Sequence, residues 1–306
     1  MNEIMNFKPK FIEKYKKLLG EEINSFLEVS SKLLTKSIRI NTLKISKKEF
    51  LERMDWQFKQ MPWYEYGFWV LNETALGNTI EHSLGYYYIQ EAASMIPPLI
   101  LNPKKHEIIL DLCASPGSKT TQIAQIMRNT GIIIANDIRK RTKPLVANLQ
   151  RCGVYNTIVT NMDGRRFWKV EQKFDKVLLD APCSGTGAIR KNWEIAKMWS
   201  ENSIRSLSRL QKTLILSAFD CLKENGILVY STCSLEPEEN EEVINYLLER
   251  RENAKIKKIN LKGLKSRPGL TFWNKKEYFK EIKNCIRIYP QDNDTEGFFI
   301  AKIEKT

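Results

Sequence analysis

At 306 residues the chain exceeds the usual size of one domain, so a large domain beside a smaller one is the starting expectation. It has no apolar run near the roughly 18 residues of a membrane span, and MNEIMNFKPKFIEKYKK lacks a signal core and a cleavage site, so the chain reads as cytoplasmic. Its 49 basic and 36 acidic side chains leave a net charge of +13, which favours a polyanionic partner, while six scattered cysteines without CxxC spacing and only two histidines argue against zinc.

In chain order, helical patterns at 7–19 and 21–34 come first. SIRINTLKI follows as a strand, then the aromatic-rich WQFKQMPWYEYGFWVL. Residues 1–90 carry 13 basic and 11 acidic side chains, and are expected to form a small α+β domain distinct from residues 91–306. From 107 onward, short β-branched runs alternate with helical segments. The runs are EIILDLC (107–113), GIIIAND (131–137), NTIVTNMD (156–163), FDKVLLD (174–180) and GILVYSTC (226–233). Helices are expected near 118–129, 139–152, 203–224 and 236–251. Such alternation predicts an α/β fold, a parallel sheet with helices on both faces. CIRIYP (285–290) and GFFIAKI (297–303) flank a turn-rich loop and predict an antiparallel hairpin at the sheet edge. Between them and the last helix, RRENAKIKKINLKGLKSR (250–267) holds eight basic residues against one glutamate. That local concentration of one sign favours contact with a nucleic acid there, whereas residues 1–90 are close to neutral. Trp56, Trp63, Tyr64, Tyr66 and Trp69 could stack on bases, but ordinary core packing is the favoured reading.

The five runs end in polar residues: Asp111, Asp137, Asp163, Asp180 and Thr232. Ligands of doubly wound sheets sit beyond such strand ends. DLCASPGSKT (111–120) spans a strand-to-helix junction, where Gly117 allows close backbone approach and helix N-terminal amides attract an anion. It is neither a GxGxxG nor a P-loop pattern. Asp137 suits a ribose diol and Asp163 an adenine amino group. With the glycine turn, they point to a nucleoside ligand such as S-adenosylmethionine. Two cysteines lie just past neighbouring strands. Cys183 sits in DAPCSGTG (180–187). Cys233 sits in VYSTCSLEPEENEE, among the hydroxyls of Ser231, Thr232 and Ser234, which suit a thiolate. The five glutamates that follow are expected to be a solvated helix start and not a metal site.

DLCASPGSKT, DAPCSGTGAIRKN, YSTCSLEPEENE and GFFIAKI, in that order, resemble the RNA cytosine-5 methyltransferase family of the Sun/Nop/Fmu type. RINTLK (39–44) and GYYYIQEAAS (85–94) extend the resemblance from about Ser37 to the end. Departures are Ser118 for a second loop glycine, Trp193 after RKN, Pro290-Gln291 for PH, and a short interval from Asp137 to Arg141. The resemblance implies a Rossmann-like methyltransferase sheet with a C-terminal hairpin and a small N-terminal RNA-binding domain. It implies S-adenosylmethionine held by Cys113, Ala114, Ser115, Pro116, Gly117, Ser118, Lys119, Asp137, Arg141, Asp163 and Asp180. Cys233 is then the nucleophile toward C6 of a cytosine and Cys183 assists product release, with Asp180 and Lys119 stabilising charge on the ring. The compact chain is closest in type to archaeal tRNA enzymes and is expected to act as a monomer without metal. An rRNA substrate is the alternative, and a non-catalytic RNA-binding factor of the same fold is a second. A DNA enzyme would use the Pro-Cys thiol as nucleophile, so the Thr-Cys motif argues against it.

Overall fold

The computed structural model describes residues 7–72 and 74–306. Two sheets organise them. Strands β1 (Ser37–Ile40), β2 (Phe58–Gln60), β3 (Gly67–Val70) and β4 (Tyr87–Ile89) form an antiparallel sheet in the order β2-β3-β1-β4. One of its faces closes over Phe50, Leu76 and Tyr87. The other carries Met61, Trp63, Tyr64 and Trp69 into the core of the large sheet. The aromatics are therefore structural: Trp63, Tyr64 and Trp69 are buried, and Trp56 and Tyr66 pack against the same clusters. No stacking platform for bases is left among them.

The large sheet holds β5 (Ile108–Asp111), β6 (Ile132–Asn136), β7 (Thr157–Thr160), β8 (Phe174–Asp180), β9 (Leu222–Thr232), β10 (Ala254–Lys257), β11 (Arg267–Pro268), β14 (Ile286–Ile288) and β15 (Phe298–Lys305). The order in this sheet is β11-β14-β15-β9-β8-β5-β6-β7, with β10 also paired to β15. Strands β12 (Phe272–Trp273) and β13 (Lys276–Glu277) make a separate small ribbon. Strands β5 to β9 are parallel, as the strand–helix alternation requires. Side chains alternate between faces. Leu110, Val177, Leu179, Leu228 and Tyr230 enter one core, and Ile109, Leu178, Val229 and Ile133 the other. Helices Glu201–Asp220 and Glu241–Leu248 cover the first face, Ile96–Leu101 and Ser118–Met127 the second.

The chain runs outward from β5 to β6 and β7, then returns to β8 on the other side of β5. Strand order reverses there, so the ends of β5 and β8 flank a crevice. The predicted hairpin forms, but it does not end the sheet. Strand β15 lies between β9 and β14, and β11 adds to β14 beyond. The helices Pro9–Leu19 and Ile23–Ser30 do not join the small sheet's core. Phe11, Tyr15 and Phe26 share a cluster with Ile189, Trp199, Ile204, Leu235 and Tyr289. Among the described residues, no helix is long and apolar enough to cross a membrane.

Candidate active site

A cavity of about 540 Å³ opens at the crevice between β5 and β8. Its wall includes Asp111 from the end of β5, the 113–118 loop, Lys119, Arg141, Asp180 from the end of β8, Cys183 and Cys233. The sequence folds this way locally because Gly117, at φ +103°, makes a turn that a side chain would strain. A Cβ there would also come within 3.0 Å of Leu145 Cδ1. Ser118 to Met127 then form a helix whose first two residues, Ser118 and Lys119, line the cavity. Lys119 is buried. Its Nζ donates to Asp180 Oδ2 at 2.7 Å and to Ser94 Oγ at 2.9 Å. Burial disfavours its charge, yet the Asp180 carboxylate outweighs burial and raises Lys119 above its ordinary range. Asp180 Oδ1 accepts from Ser231 Oγ at 2.7 Å, so both carboxylate oxygens are engaged.

The two thiols meet. Cys183 Sγ lies 3.3 Å from Cys233 Sγ, a hydrogen-bonding distance for sulfur. Cys183 is pushed well above the usual thiol range, first by that hydrogen bond and next by burial. Cys183 therefore keeps its proton at neutral pH. The hydroxyls flanking Cys233 do not solvate it, contrary to the expectation from sequence. Ser231 serves Asp180, Thr232 Oγ1 donates to Asn240 Oδ1 at 2.6 Å, and Ser234 Oγ donates to Glu239 Oε2 at 2.5 Å. Polar side chains at the end of a strand go to whichever acceptors the fold brings, and here those are carboxylates and an amide.

The glutamates behind Cys233 also depart from the expectation of a solvated helix start. Glu236, Glu239 and Glu241 are fully buried, and the helix begins only at Glu241. Each acid has partners from distant segments, which a local reading cannot supply. Glu236 accepts from Tyr15 Oη at 3.1 Å and Trp199 Nε1 at 2.8 Å. Glu241 holds Arg287 by two bonds of 2.6 and 2.7 Å, both side chains being buried. Glu239 accepts from the backbone N–H of Ser184 at 2.9 Å, from Ser184 Oγ, from Ser234 Oγ and from Gln211 Nε2 at 3.0 Å. Burial raises its carboxyl above the usual range. Ser184 adjoins Cys183 and Ser234 adjoins Cys233, so Glu239 ties together the two loops that carry the thiols.

Of the residues marked from sequence, the cavity brings together Cys113, Ala114, Ser115, Pro116, Ser118, Lys119, Arg141, Asp180, Cys183 and Cys233. Gly117 shapes the loop from behind. Asp137 stands off the cavity wall: its carboxylate accepts from the N–H groups of Ser115 at 2.9 Å and Ile138 at 2.8 Å, and so holds the loop. Asp163 is also off the wall. It caps Gly164–Lys169 and pairs with Arg165 at 2.6 Å, whose hydrogen bond holds it below the usual carboxylate range. Arg141 reaches the loop, with Nη2 donating to Ser115 O at 2.9 Å. Burial pushes the Cys113 thiol up.

Sequence reasoning did not place Asp111, Glu91, Asn148, Glu296 or Phe298 at the site, and all line the cavity. Asp111 was visible as a strand-end acid. Its Oδ2 accepts from Thr120 Oγ1 at 2.7 Å, while its buried Oδ1 has no partner among the described residues. Burial raises Asp111 to about 7. An unpartnered acceptor, helix N-terminal amides and a cavity of small-molecule size together fit a ligand carrying both a cationic donor and a carboxylate. A methionine moiety attached to a nucleoside has those groups. Among the described residues, no His/Cys/Asp/Glu cluster has the form of a metal site.

Known proteins resemble this chain in sequence and fold. The family profile of 16S rRNA methyltransferase RsmB/F matches residues 98–304, and that of the N-terminal domain of 16S rRNA methyltransferase RsmF matches residues 7–92. The chain is 47% identical to a tRNA (cytosine(49)-C(5))-methyltransferase of Pyrococcus abyssi, covering 99% of this chain and 98% of that one. It is 46% identical to the ribosomal RNA small subunit methyltransferase F of Vibrio atlanticus, but spans only 60% of that protein's length. Among solved structures, a methyltransferase homolog protein from Pyrococcus horikoshii superposes with a TM-score of 0.89 at 39% identity, covering 99% of this chain and 96% of that one. NSun6 from Pyrococcus horikoshii, solved with SFG, gives 0.87 at 26% identity, covering 99% of each chain.

Proposed function

The chain belongs to the 16S rRNA methyltransferase RsmB/F family, with its Rossmann-like fold and S-adenosylmethionine as methyl donor, and we propose that it methylates C5 of a cytosine in tRNA through a covalent Cys233–C6 adduct. The observation that carries this reading is the pair of thiols 3.3 Å apart in the same cavity as the cofactor loop. C5 of cytosine is a weak nucleophile, and a second sulfur has no use in a simple transfer. S-adenosylmethionine, when bound against the 113–119 loop, Asp111 and Arg141, supplies an electrophilic methyl group. Asp137 supports that loop from behind, and we keep Asp163 as a contact at the adenosine end.

The Cys233 thiolate forms a bond to C6, and the C5–C6 π electrons move toward C5 and into the ring. Lys119, charged and fixed by Asp180 and Ser94, stabilises the negative charge that develops. C5, made nucleophilic in this way, would take the methyl group, the donor leaving as S-adenosylhomocysteine, so that C5 carries both the methyl and its proton. With Cys233 Sγ bonded to carbon, the hydrogen bond that favours the protonated Cys183 thiol is lost. Cys183 releases its proton to water and its thiolate, or a water it orients, then takes the C5 proton. The C5–C6 double bond re-forms and the C6–sulfur bond breaks, which returns the Cys233 thiolate. The target base must be unstacked to reach the thiols.

Residues 1–90 are proposed as an RNA-binding domain beside the catalytic part at 91–306, in a cytoplasmic monomer. The tRNA reading follows the 98% length match to the Pyrococcus abyssi tRNA enzyme, against 60% for the Vibrio atlanticus rRNA enzyme. Purified protein with S-adenosylmethionine is expected to protect one cytosine of a tRNA transcript from bisulfite conversion, and none in 16S rRNA. Protection of rRNA alone would reverse the assignment.

The basic segment gives a second expectation. Lys255 and Lys257 project from β10 at the sheet edge, Lys258 and Lys262 follow, and all four are exposed. Lys257 also pairs with Glu304 at 3.0 Å. Replacing the four with glutamine should weaken tRNA binding and flatten its salt dependence, by about 0.7–0.9 slope units for each phosphate no longer neutralised. Turnover at saturating tRNA should change little. An unaltered salt slope would make the segment a solvated edge with no role in RNA binding.

A further inference from the structure

Beyond that reading, on which it rests, we propose that Glu296, backed by Glu91, recognises the 4-amino group of the target cytosine and so rejects uracil. Both side chains line the cavity together with Cys183, Cys233, Lys119 and Phe298. Glu91 follows β4 and Glu296 shortly precedes β15, so the fold brings two acids together that are far apart in sequence. Glu91 is pinned by backbone. Its Oε1 accepts from the N–H of Glu296 at 2.9 Å, and its Oε2 from the N–H of Ser94 at 3.0 Å. Glu296 is only 4% exposed, and its buried Oε1 has no hydrogen-bond partner among the described residues. The nearest cation, Lys191 Nζ, is 3.9 Å away at the end of an exposed side chain.

A buried acceptor without a donor is costly unless a ligand supplies one. The neighbouring acids narrow the choice of ligand. Asp180 is occupied by Lys119 and Ser231. Asp111 lies beside the cofactor loop, while Lys119 stands between Asp180 and Ser94, the residue whose N–H also binds Glu91. The Lys119 ammonium lies 5.5 Å from the centre of the Phe298 ring, which offers an apolar surface next to Glu296. A planar base held in this cavity with its C6 toward Cys233 has Glu91 and Glu296 among the groups its other edge can meet.

Two carboxyls packed together do not both ionise readily. Glu296 is raised to about 8, first by burial and then by the Glu91 carboxylate, and burial raises Glu91 as well. At neutral pH the pair retains a proton, and so presents an acceptor beside a donor. Cytosine shows the complement, the 4-amino donor beside the N3 acceptor. Uracil shows the inverse, a carbonyl beside an N–H, which would set acceptor against acceptor.

The test compares two RNAs that are identical except at the target position, one with cytosine and one with pyrimidin-2-one, which lacks the 4-amino group. Covalent adduct formation is followed on denaturing gels with the full chain, and S-adenosylmethionine affinity by calorimetry. Glu296→Ala should slow adduct formation on the cytosine RNA by up to about tenfold, the range for a hydrogen bond between uncharged groups. It should change adduct formation on the pyrimidin-2-one RNA by less than about threefold and leave cofactor affinity intact. Glu296→Met, which keeps the side chain's length but offers neither donor nor acceptor, should give the same pattern if the alanine variant is poorly folded. Equal slowing on both RNAs would overturn the proposal. A loss of cofactor affinity would overturn it as well, by giving the pair to the methionine ammonium. A wild-type protein that forms no adduct with either RNA would instead remove the covalent mechanism, and this proposal with it.

Discussion

Cys233→Ala is expected to abolish methyl transfer, by on the order of 10⁴-fold or more, because it removes the sulfur assigned to attack C6. RNA and cofactor binding should be largely kept, since the side chain makes its one polar contact with Cys183. Cys183→Ala should fail differently. Addition and methylation still proceed, but the C5 proton stays and the C6–sulfur bond cannot break. The protein should therefore remain joined to methylated RNA, as a slow, nuclease-sensitive band on a denaturing gel that requires S-adenosylmethionine. The double variant should show no band. A band from Cys233→Ala instead would exchange the roles of the two thiols. Full activity in both variants would end the covalent mechanism.

The second large effect concerns stability. Glu241 and Arg287 form a two-bond ion pair with side chains 0% and 1% exposed, next to the loop that follows Cys233. Glu241→Ala would leave the Arg287 guanidinium charged in the core, with only Leu235 O and Tyr289 Oη as partners, each at 3.1 Å. Removing one partner of a buried pair costs about 3–5 kcal/mol. Urea unfolding of the alanine variant should show a loss of that size. Glu241→Ala combined with Arg287→Ala should lose less than the two single changes summed, because the second change removes the stranded charge. A loss below about 1 kcal/mol for Glu241→Ala would show that water or another group reaches the guanidinium.

The contrast between those two sites shows what a sequence discloses. Strands β5 to β8 are legible because short β-branched runs bounded by Asp, Asn or Gly have a single sensible reading. FDKVLLD is β8 residue for residue. The two thiols are legible because each follows a strand, and parallel strands bring their ends together. The acids at 236–241 are not legible. Five glutamates at a helix start look solvated until Tyr15, Trp199, Ser184 and Arg287 arrive from elsewhere in the chain. Glu91 and Glu296 escape a local reading for the same reason, since 205 positions separate them. The hairpin's place inside the sheet is hidden because β10 and β11 are short and lie in a charged stretch that resembles a loop.

The position of β15 also governs when the enzyme can come into being. This strand, made last among the strands, is bonded to β9, β14 and β10 and lies inside the sheet. It brings Phe298 and, just ahead of it, Glu296 to the cavity wall. A chain still emerging from the ribosome can pair β5 to β9, but β9 keeps an open, apolar edge until residues 298–305 arrive. Domains generally form as the chain is synthesised, and unpaired strand edges are the exposed points of such intermediates. The cavity wall is therefore whole only once residues 296–298 have been made and β15 has paired with β9, so the site depends on the last stretch of chain to be synthesised.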